Sequence, residues 1–228
     1  MRRLPIAAAF VAALLSVASA QEVPPHGLVF ERWVRDTFFG GYRSASHTRQ
    51  WDIPASANRH HGGIPVNLKV TRVGTAVDLG DALRQYEIDE SFMLVIGFWQ
   101  QAGAEQRFVN LVAPVVSQEL WRKLWGPVTY ADLRRLDTLI KDPGPTVEEI
   151  RKRALQMKNS PPFTHAIIQV NPKIDDRGQR RLQCSVRYED VFTHLAPGAD
   201  AAPQEQPALF GLPYPGTSAL KPPETKPD

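Results

Sequence analysis

With only one cysteine, Cys184, the chain cannot form an internal disulfide, so a protein of 228 residues must be held together by its apolar core. Cys184 sits in the alternating run Leu182-Gln183-Cys184-Ser185-Val186, on the apolar side, where a buried inert thiol is expected rather than a nucleophile. The sequence also lacks a Walker loop, a dinucleotide-binding glycine motif, a zinc-spaced Cys/His set and a serine-centred nucleophile elbow, which argues against those chemistries. No internal repeat is evident. Charge of one sign is missing as well. Of 27 Lys and Arg residues against 24 Asp and Glu, Arg2 and Arg3 lie in the leader described next, so the rest of the chain is close to neutral, about +1. A global basic field for nucleic acid is therefore absent, and any such surface would be local.

Residues 1–20 read as a secretory signal: MRR, an apolar run over 4–17, then Ala18-Ser19-Ala20 before Gln21. The run is short for a membrane span of about 20 residues and ends in small residues fit for signal peptidase, with an uncleaved anchor as the alternative. The expectation is an exported protein, periplasmic or secreted, with no membrane attachment after cleavage. It would have one folded domain over 21–196 and a Pro-rich tail over 197–228, whose poverty in large apolar groups predicts disorder.

Along the domain, 27–39 reads as a helix with an apolar stripe of Leu28, Val29, Phe30, Trp33, Val34, Thr37 and Phe38. Glu31 is beside the stripe, Arg32, Arg35 and Asp36 are opposite it or at its margin, and Gly40-Gly41 supplies the stop. Extended segments over 42–47 and at Trp51-Asp52-Ile53 precede a loop over 55–63 and a strand over 64–71. The pattern over 75–86 reads as a helix. FMLVIGFW, 92–99, is continuous enough for a central strand covered on both faces, and 108–113 for another strand. Helices follow over 117–125, 129–140 and 147–157, the last two with Thr129 and Thr146 as N-caps. Strands over 164–174 and 179–188 are joined by the turn-forming Asp175-Asp176-Arg177-Gly178. Trp121 and Trp125, spaced i,i+4 beside Leu120 and Leu124, read as core before base-stacking platforms.

The stretch 51–69, WDIPASANRHHGGIPVNLK, carries the chemistry. Ile64, Val66 and Leu68 alternate with Pro65, Asn67 and Lys69, so Asn67 and Lys69 share the face opposite the buried one. An acid at Asp52 and a strand lysine at Lys69 suit metal-assisted phosphodiester hydrolysis: the carboxylate holds a divalent cation, and the ammonium serves the attacking water and offsets phosphate charge. Each residue also has a plain reading. Glu31 would be a solvent-facing helix acid, Asp52 a turn cap before Pro54, and Lys69 a snorkelling strand lysine. His60 and His61 are adjacent and so diverge on an extended chain, which suits exposed loop residues better than a chelating pair. Gln85, Gln100 and Gln101 are candidates for the same sheet end, or for simple solvation. Clusters at Arg151-Lys152-Arg153, Asn171-Pro172-Lys173 and Gln179-Arg180-Arg181 read as solvated faces, or else as phosphate contacts.

The order over 27–101 resembles the PD-(D/E)xK nuclease superfamily, the restriction-endonuclease-like fold. It runs from a helix with Glu31, through a strand with Asp52 and a strand with Asn67 and Lys69, to a helix and the FMLVIGFW strand. The resemblance implies an α/β (α+β) domain with a mixed central sheet flanked by helices, and a Mg²⁺-dependent endonuclease, with Mn²⁺ able to substitute, acting on DNA. By position, Asp52 matches the metal-binding aspartate, Lys69 the catalytic lysine and Glu31 the helix glutamate, while the Leu68 carbonyl would face the metal. Two positions depart from the pattern: Trp51 stands where the family has proline, and Asn67 where it has Glu or Asp. An asparagine oxygen ligates a hard cation but adds no negative charge. Two further readings follow: a nuclease-fold binding protein without catalysis, and an unrelated envelope protein with a structural Asp52–Lys69 pair.

Overall fold

β3 (Phe92–Ala102) is the axis of the molecule. In the computed structural model, which describes residues 26–43, 50–103, 105–175 and 179–216, Phe92 to Ile96 and Phe98 are at most 3% exposed. Strand alternation divides them between two cores: Leu94, Ile96 and Phe98 face one, Met93 and Val95 the other. The strand over 64–71 forms as β1 (Val66–Arg72), parallel to β3 with Lys69 beside Ile96. On the other side β4 (Glu105–Val112) pairs antiparallel, and β5 (Val115–Val116) resumes that edge after Ala113-Pro114. Gly97 is required here, because a Cβ would fall 2.8 Å from the Phe108 ring and 3.0 Å from that of Phe30, two rings stacked at 4.9 Å across the strand.

A parallel neighbour demands a crossover, and the crossover corrects the sequence reading. Residues 75–86 are not one helix but β2 (Val77–Asp81) followed by the short α2 (Ala82–Tyr86). Val77 and Leu79, two apart, are both buried, and Gly80 takes φ +96° while Asp78 accepts its N–H. Asp81 then N-caps α2 by accepting from Arg84 N. What decides for strand is a partner a hundred residues on. β2 pairs antiparallel with β7 (Arg180–Val186), which pairs with β6 (Gln169–Ile174), giving a second sheet ordered β2-β7-β6 that contains the expected late hairpin. The tip of that hairpin, 176–178, lies outside the described residues, as do the 1–20 leader and most of the 42–47 segment.

α1 (His26–Phe38) covers one face of the central sheet with Phe30, Trp33, Val34 and Phe38, whereas Leu28 and Thr37, assigned to its stripe, face solvent. The opposite side is built from α3 (Gln118–Trp125), α4 (Tyr130–Lys141) and α5 (Val147–Lys158), capped by Ser117, Thr129 and Thr146, the last two in capping boxes. Trp121 and Trp125 are core, and the Trp121 indole donates to the Gln85 carbonyl at 2.7 Å. Cys184 is fully buried, and desolvation pushes its thiol well above the usual range, as an inert thiol requires. The whole is a mixed α/β fold: a mixed central sheet flanked by helices, with a late antiparallel hairpin. No helix among the described residues is long and apolar enough to cross a membrane.

The tail reading is corrected over 197–216. Gln204 N donates to Val109 O, the buried Asn110 amide donates to Asp200 O at 2.7 Å, and Leu209 and Tyr214 join the α1 core. β8 (Ala208–Leu209) and β9 (Leu212–Pro213) form a small hairpin through Phe210-Gly211. Residues 217–228 lie outside the described set.

The Tyr214 hydroxyl is buried without a hydrogen-bond partner among the described residues, and burial raises its pKa to about 12. Tyr214→Phe is therefore expected to be neutral or stabilising by up to about 1 kcal/mol at pH 7, since no bond is lost and a desolvated hydroxyl is removed. Between pH 10 and about 12 the native phenol keeps a proton that the unfolded chain releases, so stability falls as pH rises through that window. Urea melts at pH 7 and pH 11 should show a smaller alkaline loss in the variant.

Candidate functional site

Asp52 is placed by its neighbours on both sides. The Trp51 indole donates to Glu90 Oε1 at 3.0 Å and packs on Phe92, while Ile53 exchanges two backbone bonds with Val66, at 3.1 and 2.8 Å. The strand expected at Asp52 is this single antiparallel bridge and no more, because Pro54 and the 3₁₀ turn Ala55–Ala57 carry the chain away. The bridge sets the Asp52 carboxylate at the outer edge of β1, where Oδ2 accepts the Leu68 N–H at 2.7 Å. In a strand the N–H and C=O of one residue point to the same side. The Leu68 carbonyl is thus directed to that same edge.

Glu31 reaches the edge from α1 together with Arg35, one turn on. Arg35 Nη2 lies 3.0 Å from Glu31 Oε2 and 4.0 Å from Asp52 Oδ1. All three side chains are partly buried, at 27%, 17% and 35% exposure for Glu31, Arg35 and Asp52. Burial raises the Glu31 pKa above the ordinary carboxylate value. Arg35 opposes that shift, Asp52 adds to it, and Lys69 also draws it down. Glu31, Asp52 and Lys69 therefore share one electrostatic field. Lys69, half-buried, and Asn67, 4% exposed, stand on the other face of β1, alongside Ile96 and Leu94. No ion pair joins Asp52 to Lys69 among the described residues: the cation beside Asp52 is Arg35. Sequence reading left Arg35 at the margin of the helix stripe. Its i,i+4 spacing from Glu31 was visible, but its approach to Asp52 depends on how α1 docks.

The donors at this edge, two carboxylates and the Leu68 carbonyl, are oxygen ligands that suit a hard cation, whereas the Asn67 amide is buried on the other face of β1. Among the described residues no group of three His, Cys, Asp or Glu is placed to share a metal. Mg²⁺ needs fewer, since it is commonly held by one or two carboxylates with substrate phosphate and water completing the shell.

The remaining candidates fall elsewhere. Asn58, fully buried, donates to the His61 and Ile64 carbonyls and so fixes the loop after Asp52. His61 stacks on Phe210 at 4.0 Å and meets Phe38 and Phe39 edge-on, and burial lowers its pKa; it is a packing residue, while His60 is exposed. Gln85 is buried in the α2 region, its side-chain oxygen without a partner among the described residues, and is not solvated as expected. Gln100 lies four residues past Ile96, about 13 Å along β3 from the residue beside Lys69, and Gln101 one further. Neither belongs to the Asp52 edge. No protein-family model, curated protein or solved structure matches this chain, so its chemistry has to be read from these side chains.

Proposed function

We propose that the protein is a Mg²⁺-dependent phosphodiesterase acting on DNA outside the cytoplasm. The observation that carries the reading is the gathering of Glu31, Asp52 and the Leu68 edge at one point of β1, with Lys69 on the same strand. Glu31, Asp52 and the Leu68 carbonyl would hold the cation, with Mn²⁺ able to replace Mg²⁺. When bound, the ion supplies positive charge to the phosphate and lowers the pKa of water. Asp52 is oriented for its part by the Leu68 N–H, which fixes Oδ2 and leaves Oδ1 turned toward Arg35 at the position a cation would take. Lys69 offsets the charge that develops on the pentacovalent phosphorus and orients the attacking water. The exported location rests on the leader sequence MRR followed by the 4–17 apolar run.

Plasmid nicking tests the reading. Cleavage by the wild type with Mg²⁺ or Mn²⁺, abolished by EDTA and by Asp52→Ala, is the expected result. Equal residual cleavage in wild type and Asp52→Ala would remove this site from consideration. Asn67 favours a second reading, a nuclease-fold protein that binds DNA without cutting it, because a neutral amide stands where an acid would add charge for the metal. Calorimetry separates the two: DNA binding with no Mn²⁺ binding supports the second.

A further inference from the structure

We infer that Arg35 is a built-in counter-ion that occupies the cation position between Glu31 and Asp52, so that a divalent ion binds only as the guanidinium leaves. The inference rests on the metal site proposed above and concerns how that site is controlled. Three observations carry it. Arg35 Nη2 bridges the two carboxylates, at 3.0 Å from Glu31 Oε2 and 4.0 Å from Asp52 Oδ1. Among the described residues its buried Nε has no hydrogen-bond partner, and its ion pairs are those with Glu31 and Asp52. Finally, the side chains add up to neutrality: Glu31 and Asp52 are balanced by Arg35 and Lys69, and Asn67 contributes no charge.

Consequences follow from the charge count alone. A cluster with no net charge attracts a divalent ion weakly, and the ion and guanidinium compete for the same oxygens. If Arg35 moves away, the site becomes net negative and gains two free carboxylates. The displaced guanidinium is a bidentate phosphate ligand at the mouth of the same edge. DNA therefore offers Arg35 another anion to pair with, and substrate and metal should favour each other's binding. The arrangement suits an exported hydrolase that meets divalent ions continuously and needs them only when a phosphate backbone is present.

The test is Mn²⁺ titration calorimetry on wild type, Arg35→Gln and Arg35→Lys, with thermal melts in the presence and absence of Mn²⁺. Removing one unit charge 3.0 Å from Glu31 and 4.0 Å from Asp52, discounted for partial exposure, should tighten Mn²⁺ binding at least about tenfold in Arg35→Gln. Arg35→Lys keeps the charge and should stay within about threefold of wild type. Adding Asp52→Asn to Arg35→Gln should erase the gain. If Arg35→Gln is poorly folded alone, Mn²⁺ should raise its melting temperature more than it raises that of wild type. Equal affinity in wild type and Arg35→Gln, equal melting shifts, or binding by neither would overturn the inference. A wild type that cleaves DNA with an Mn²⁺ affinity unmoved by Arg35→Gln keeps the nuclease reading and loses this one. A protein that never cleaves but gains Mn²⁺ affinity in Arg35→Gln does the reverse.

Discussion

Lys69→Ala is expected to reduce DNA cleavage by about 10²–10³-fold while leaving the fold and the metal site in place, the usual cost of deleting one preorganised group that stabilises transition-state charge. The side chain is half-buried on β1, whose strand position is secured by backbone pairing with β3 and by Val66 and Leu68 packing under α1. Removing the amine therefore takes away little apolar contact. It also removes a positive charge from the field of Glu31, so Mn²⁺ affinity should be unchanged or higher. That combination, lost turnover with retained metal binding, separates a role in the reaction from a role in folding. Lys69→Arg should not restore the rate, because a planar fork cannot place its charge where a compact ammonium sits. Single-turnover nicking beside calorimetry makes the measurement, and a Lys69→Ala protein that cleaves at the wild-type rate would exclude Lys69 from the chemistry.

Some of this architecture is legible in the residues and some is not, for physical reasons. FMLVIGFW announces a strand buried on both faces because no polar residue interrupts it, and β3 is that strand. Thr129 with Asp132 and Thr146 with Glu149 mark helix starts, since a capping box is a contact between residues three apart. Misreadings arise where the deciding partner is distant. Val77-Asp78-Leu79-Gly80-Asp81 fits a short strand or a helix, and only pairing with Cys184 and its neighbours on β7 settles it. The Asp52 edge shows the same division. The spacing from Asp52 to Lys69 could be read along the chain, whereas Arg35 between two carboxylates is a product of docking α1 against β1. Residues 197–216 mislead through composition: Leu209 and Tyr214 are few, but the cleft between α1 and β4 takes both.

That segment carries the largest stability effect. A chain ending at residue 196 loses the buried Leu209 and Tyr214 side chains, each worth roughly 2–3 kcal/mol by burial. It also removes the Asp200 and Ala202 carbonyls to which the buried Asn110 amide donates, exchanging those bonds for bonds to water. The total is about 5 kcal/mol, or a drop of about 10–20 °C in Tm for a protein of this size, a large share of typical net stability. Scanning calorimetry of the two chains checks it, and Leu209→Ala should reproduce about 2–4 kcal/mol of the loss. A truncated chain melting within about 3 °C of the full one would return 197–216 to the status of a solvated tail. The effect should extend to the site, because Phe210, held at φ +51° in the β8–β9 turn, stacks on His61 at 4.0 Å. A bulky residue accepts that backbone conformation only where packing repays it. His61 in turn belongs to the Asn58-centred loop that joins Asp52 to β1. Without the hairpin, Asp52 keeps its bridge at Ile53 but loses the packing that steadies the loop, so cleavage should fall below what the loss of folded protein alone explains.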